Sequence, residues 1–136
     1  MVDFAYGSLP SNVPAGTAFT LVNESESELH ELVAVRLPDT ETRSVAEMAR
    51  DDIEALFAGP PAMVLLAAPG SSETIVAVGD GTLSEPGRYA IVCMIPTGVD
   101  PQVYLEAAAA SQGGPPQVEG GAPHIAHGMF AEVVVD

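Results

Sequence analysis

Residues 86–96 read PGRYAIVCMIP. A Pro-Gly pair leads into an apolar run over 88–95, and Pro96 closes it. A short run of this kind, bounded by turn residues and rich in β-branched and aromatic side chains, reads as a central strand. It also carries the single cysteine of the chain, Cys93. With one cysteine there is no internal disulfide, so the fold must rest on its core.

Working outward, the neighbouring segments are also short and strand-like. Residues 2–6 (VDFAY) alternate at period two. Residues 9–16 hold two prolines and a glycine, a turn region, and 18–22 (AFTLV) form the next strand. An acidic, serine-rich stretch over 23–28 stops it. Residues 29–37 (LHELVAVRL) follow, with Glu31, Val33, Val35 and Leu37 on one face and His30, Leu32, Ala34 and Arg36 on the other. Residues 62–68 and 73–78 are further strands, and 129–135 (MFAEVVV) is the last.

The period changes once. Over 44–58, Val45, Met48, Ala49, Ile53, Leu56 and Phe57 recur at helical spacing. Ser44 and Glu47 make a capping-box pair, and Gly59-Pro60-Pro61 ends the helix. Residues 100–111 are alanine-rich after an Asp-Pro start and predict a short second helix. Residues 112–123 are rich in Gly and Pro and read as an open loop. About seven short strands with one inserted helix predict an all-β Greek-key sandwich or barrel. At 136 residues the chain is read as one domain, 1–136.

Composition narrows function. Nineteen acidic residues face four arginines and no lysine, a formal charge of −15. Nucleic acid and anionic lipid are excluded as partners, since phosphate neutralisation needs clustered basic side chains. A cation or a basic protein is favoured instead. No apolar run reaches the roughly 18 residues of a membrane span. A nucleophile elbow, a CxxC pair, a phosphate loop and an HExxH helix are all missing.

The chain has only three histidines, and two of them fall in PHIAHGM, residues 123–129. In chain order the soft and borderline donors are His30, Cys93, His124, His127 and Met129. Two imidazoles and a thiolate in a plane, with a distant thioether, make a donor set that suits copper in both oxidation states. Zinc would take the first three but has no use for the methionine.

The sequence resembles the cupredoxin family, in particular its small plastocyanin-like members and a bacterial cupredoxin-like subgroup. Gly87-Arg88-Tyr89-Ala90-Ile91-Val92-Cys93 matches the penultimate strand, in which a Gly-x-Tyr is followed four positions later by the copper cysteine. His124 and Met129 match the closing His-x4-Met before the last strand. Asn23 ends one strand and Leu29-His30-Glu31 stands where the first ligand begins the next region. The resemblance implies one copper ion held by His30, Cys93 and His124 in the plane and Met129 on the axis. His127 then falls at a variable position. It also implies an electron-transfer or copper-handling protein rather than an enzyme. A basic redox partner and a location outside the cytoplasm, with membrane tethering through an N-terminal segment, follow from the same resemblance.

The sequence departs from that family pattern in two places. His124 lies 31 positions after Cys93, with 97–122 inserted between them. Glu31 stands where many relatives carry an asparagine, and an ionised carboxylate accepts hydrogen bonds but cannot donate them. The insertion leaves a second reading open, a copper-free binding or structural module that uses 97–122 as a recognition loop.

Overall fold

The structure is a computed structural model that describes residues 9–57, 59–110 and 120–136. The strand expected over 2–6 and most of the loop expected over 112–123 lie outside the described residues. The strands are β1 (Asn12–Val13), β2 (Thr17–Ala18), β3 (His30–Arg36), β4 (Met63–Ala67), β5 (Ile75–Val78), β6 (Thr82–Leu83), β7 (Gly87–Val92) and β8 (Phe130–Val135). The helices are α1 (Val45–Asp51) and α2 (Pro101–Ala110), with 3-10 turns at Ile53–Phe57 and His124–His127.

Six strands form one sheet in the order β1-β8-β7-β3-β4-β5, and β2 pairs with β6 in a second, two-stranded sheet. The 86–96 stretch is central, as expected: β7 lies between β3 and β8 and is antiparallel to both. Alternate residues of the large sheet enter two different clusters. Leu32, Ala34, Met63, Leu65, Tyr89, Ile91 and Val133 pack with Leu21 and Leu83 of the facing layer. Val33, Val35, Ala90 and Val92 pack instead under Val45, Met48 and Leu56. Both faces of β3 are therefore covered, which explains why its sequence is apolar without a clean polar alternation.

The helix begins as the sequence predicts. Ser44 caps it, its side chain accepting from the Glu47 backbone N–H at 3.1 Å. It is shorter than expected, because Asp52 leaves helical geometry (φ −155°, ψ 68°). The Asp52 carboxylate is drawn to Arg43 Nη1 at 3.0 Å, and the chain continues as a 3-10 turn. Leu56 is still fully buried, whereas Ile53 is turned out to 37% exposure.

The strand expected over 18–22 is also cut short. Only Thr17 and Ala18 pair in a ladder. Beyond them the Thr74 hydroxyl bridges both backbone groups of Leu21, accepting from its N–H at 2.9 Å and donating to its carbonyl at 3.2 Å. A side chain thus replaces the ladder, a long-range contact with no local signature. The expected turn over 9–16 contains a strand, β1, which pairs with β8 in parallel.

Candidate metal centre

His30 is the first residue of β3 and lies opposite Ala67. Cys93 follows the last residue of β7. The β3–β7 register pairs Val33 with Val92. Carried one step beyond Val92, it sets Cys93 across from Leu32, on the same sheet face as His30. His124 opens the 3-10 turn that leads into β8.

These three side chains meet. One ligand atom from each of His30, Cys93 and His124 lies within 4.8 Å of the others. Cys93 Sγ is 3.3 Å from His124 Nδ1, and the two imidazole centroids are 5.0 Å apart. All three residues are 0% exposed, as is Met129, which packs in the same cluster as Cys93. His127 is on the exposed side of the turn and outside the donor group.

A ring of backbone hydrogen bonds fixes the donors. The Cys93 N–H donates to the Met129 carbonyl (3.2 Å), the Met129 N–H to the His124 carbonyl (3.2 Å), and the His124 N–H to the Ile95 carbonyl (3.0 Å). The Ile125 N–H returns to the Cys93 carbonyl at 2.9 Å. Gly128 makes the tight turn possible, at φ +95° in the left-handed region that other residues enter at a cost of about 1–2 kcal/mol.

The insertion does not hold His124 away from Cys93, because its two ends are clamped together. Pro96 and Pro123 form an antiparallel bridge. The Ala122 carbonyl accepts from both the Thr97 N–H (3.0 Å) and the Thr97 hydroxyl (2.6 Å), and Gly121 N–H donates to the Thr97 carbonyl at 2.9 Å. The approach is so close that a Cβ on Gly120 would stand 2.6 Å from Pro96 Cβ. The inserted chain therefore leaves and rejoins at one neck, and Cys93 and His124 are brought together as if the loop were short. Beyond the neck, α2 folds back over the site, with Tyr104 and Leu105 packed against the cluster of Cys93, Ile95 and Met129.

Glu31 does lock the strand beside Cys93, as an acceptor. Its Oε1 takes the Met94 N–H at 3.0 Å, and its Oε2 takes the Tyr104 hydroxyl at 3.4 Å. Burial pushes its pKa up to about 7, partly offset by those two hydrogen bonds. Burial also raises the Cys93 thiol, as does the nearby Glu31 charge. The backbone N–H groups of Glu31 and Ile95 act in the opposite direction and favour the thiolate. Glu28 completes the surround. It is 9% exposed, accepts from Gly98 N–H at 3.1 Å, and places Oε2 3.6 Å from His124 Nε2. Sequence reasoning missed Glu28 and Tyr104 as parts of the site. Glu28 sits in an acidic run that reads as a solvated loop, and Tyr104 in a helix without functional marks.

The donor set fits one soft or borderline cation. Two imidazoles and a thiol converge where all three residues are fully buried, and two carboxyl groups around them make the electrostatics favour positive charge.

The architecture is a mostly β sandwich that resembles the cupredoxin fold. It is similar to the crystal structure of sodium-dithionite-reduced auracyanin from the photosynthetic bacterium Roseiflexus castenholzii, with a TM-score of 0.51 and 23% identity over 99% of this chain and 90% of that one. A structure of auracyanin B gives a TM-score of 0.42 and 20% identity over 99% of this chain and 82% of that one. No protein-family model and no curated protein matches the chain.

Proposed function

We propose that this chain is a mononuclear type 1 copper protein that carries single electrons. His30, Cys93 and His124 would hold the ion, with Met129 as a weaker fourth donor. The observation that carries the reading is the convergence of a buried thiol and two buried imidazoles within 4.8 Å. A structural zinc site would more often be closed by a fourth Cys or His. The fold likeness to an auracyanin crystallised in a dithionite-reduced form supports a redox role.

Copper, when bound, supplies a one-electron couple and holds the cysteine as thiolate. The chain's own residues supply the rest. The backbone ring through Cys93, Met129 and His124 holds the donors in one arrangement, so little needs to move when charge changes. The N–H groups of Glu31 and Ile95 stabilise negative charge on the sulfur. Complete burial of the donors excludes water and small ligands, which suits a carrier rather than an enzyme.

The charge of −15 would steer a basic redox partner. Among the described residues no helix is long and apolar enough to cross a membrane. The reading places the protein outside the cytoplasm, where copper carriers of this fold work.

Loading with Cu(II) is expected to give an intense blue colour and a raised Tm, both lost in Cys93→Ser. A natively folded protein that stays colourless with Cu(II) would overturn the reading.

A further inference from the structure

The Glu28 carboxyl group occupies a built position. Its backbone N–H donates to Ser25 Oγ at 3.0 Å, and its carbonyl accepts from Asn23 Nδ2 at 2.8 Å. Asn23 is itself buried and also donates to the Ala67 carbonyl at 2.9 Å, beside His30 in the sheet. The Gly98 N–H, on the far side of the neck, reaches Oε1 at 3.1 Å and Oε2 at 3.3 Å. So fixed, Oε2 stands 3.6 Å from His124 Nε2, while the other ring nitrogen, Nδ1, faces Cys93 Sγ at 3.3 Å. The ring is 0% exposed, so bulk solvent does not set its orientation.

We propose that Glu28 is a positioning residue for His124: its carboxylate holds the ring proton on Nε2 and leaves the Nδ1 lone pair facing Cys93. A neutral imidazole has one N–H and one bare nitrogen, and the partner of one nitrogen decides the state of the other. At 3.6 Å the contact is electrostatic rather than a hydrogen bond, and negative charge on that side of the ring favours the proton at Nε2. A second consequence rests on the copper reading above. Negative charge behind a ligating imidazole raises its basicity and favours the more highly charged ion.

The first test uses the metal-free protein. Long-range 1H–15N spectra are expected to show His124 as the Nε2–H tautomer, and Glu28→Gln is expected to shift it toward Nδ1–H with Tm little changed. Glu28→Asp keeps the charge but withdraws it by one methylene. It is expected to show a smaller shift and covers the case in which Glu28→Gln does not fold. In the copper-loaded protein, Glu28→Gln is expected to weaken Cu(II) binding by about 10–100-fold. A tenfold loss selective for Cu(II) over Cu(I) reads as a midpoint raised by about 59 mV. An unchanged tautomer in both variants would overturn the proposal. A wild-type protein that takes up no copper would sink the copper reading and leave the tautomer result standing.

Discussion

Glu31 Oε1 accepts the Met94 N–H at 3.0 Å, at the point where ladder pairing between β3 and β7 has already stopped. The register of Val33 with Val92, carried two residues further, sets Glu31 opposite Met94. A side chain therefore continues the pairing that the two backbones have given up, and it does so directly beside Cys93. Glu31→Ala removes the acceptor and leaves a partly buried N–H without it, at a cost of about 1–3 kcal/mol. Glu31→Gln keeps an acceptor oxygen and is expected to lose much less. Urea denaturation of the metal-free variants measures the difference, and equal losses would show that the acceptor is not what matters.

The neck of the insertion is expected to be intolerant of bulk. A side chain at Gly120 must displace Pro96, whose Cβ would lie 2.6 Å from the new Cβ. Gly120→Val should destabilise by about 1–3 kcal/mol, in the range of overpacked positions. Because Pro96 leads back to Cys93 and Pro123 leads to His124, the same variant should weaken copper binding. Isothermal titration on the folded variant reads this directly, and unchanged affinity would mean that the neck does not position the donors.

Met129 is fully buried at the start of the last strand. Met129→Leu conserves volume, so it should cost less than about 1.5 kcal/mol in the metal-free protein. In the loaded protein it removes an electron-donating thioether, which should raise the reduction potential while the blue colour persists. Cyclic voltammetry checks the direction. An unchanged potential would place Met129 in the core and not among the copper donors.

Far from the site, Arg43 grips Glu41 through two guanidinium nitrogens at 2.7 Å and 3.2 Å. The hydrogen bonds from Arg43 hold the Glu41 pKa down, from 4.5 to about 2. A depressed carboxyl contributes stability that is present above its unfolded pKa and lost as pH falls through the folded one. The stability gap between wild type and Glu41→Gln should therefore be full at pH 7 and close as pH falls from 4.5 toward 2. Denaturation curves at stepped pH follow it, and a gap independent of pH would exclude the pairing as its source.

Helix α1 is expected to depend on its buried stripe more than on its cap. Met48 is 0% exposed beneath the large sheet, so Met48→Ala should cost about 2–5 kcal/mol. Ser44→Ala should cost about 0.5–2 kcal/mol through the lost cap. Thermal melts rank the two, and a reversed order would contradict the packing.

The parts of this protein that were legible in its sequence are those with a local period or a local stop. The central strand over 86–96 and the start of the helix at Ser44 belong to this group. That His30, Cys93 and His124 would come together was legible through family resemblance and through the scarcity of these residue types. What could not be read are features made by side chains that meet across the fold. Thr74 bonding to Leu21 ends one strand, and Arg43 bonding to Asp52 accompanies the early end of the helix. Glu28 meets Gly98 across 70 positions, and nothing in either segment announces the other.

The neck at Thr97 and Ala122 separates two quantities, the length of the chain between Cys93 and His124 and the distance between their side chains. Once the two sides of the neck are bonded, added residues beyond it need not move either donor. Closing a longer flexible loop costs only about 0.6 kcal/mol per doubling of its length. The distal part of the excursion is thus a place where the chain can be extended, or a foreign peptide inserted, while the imidazole and the sulfur keep their separation.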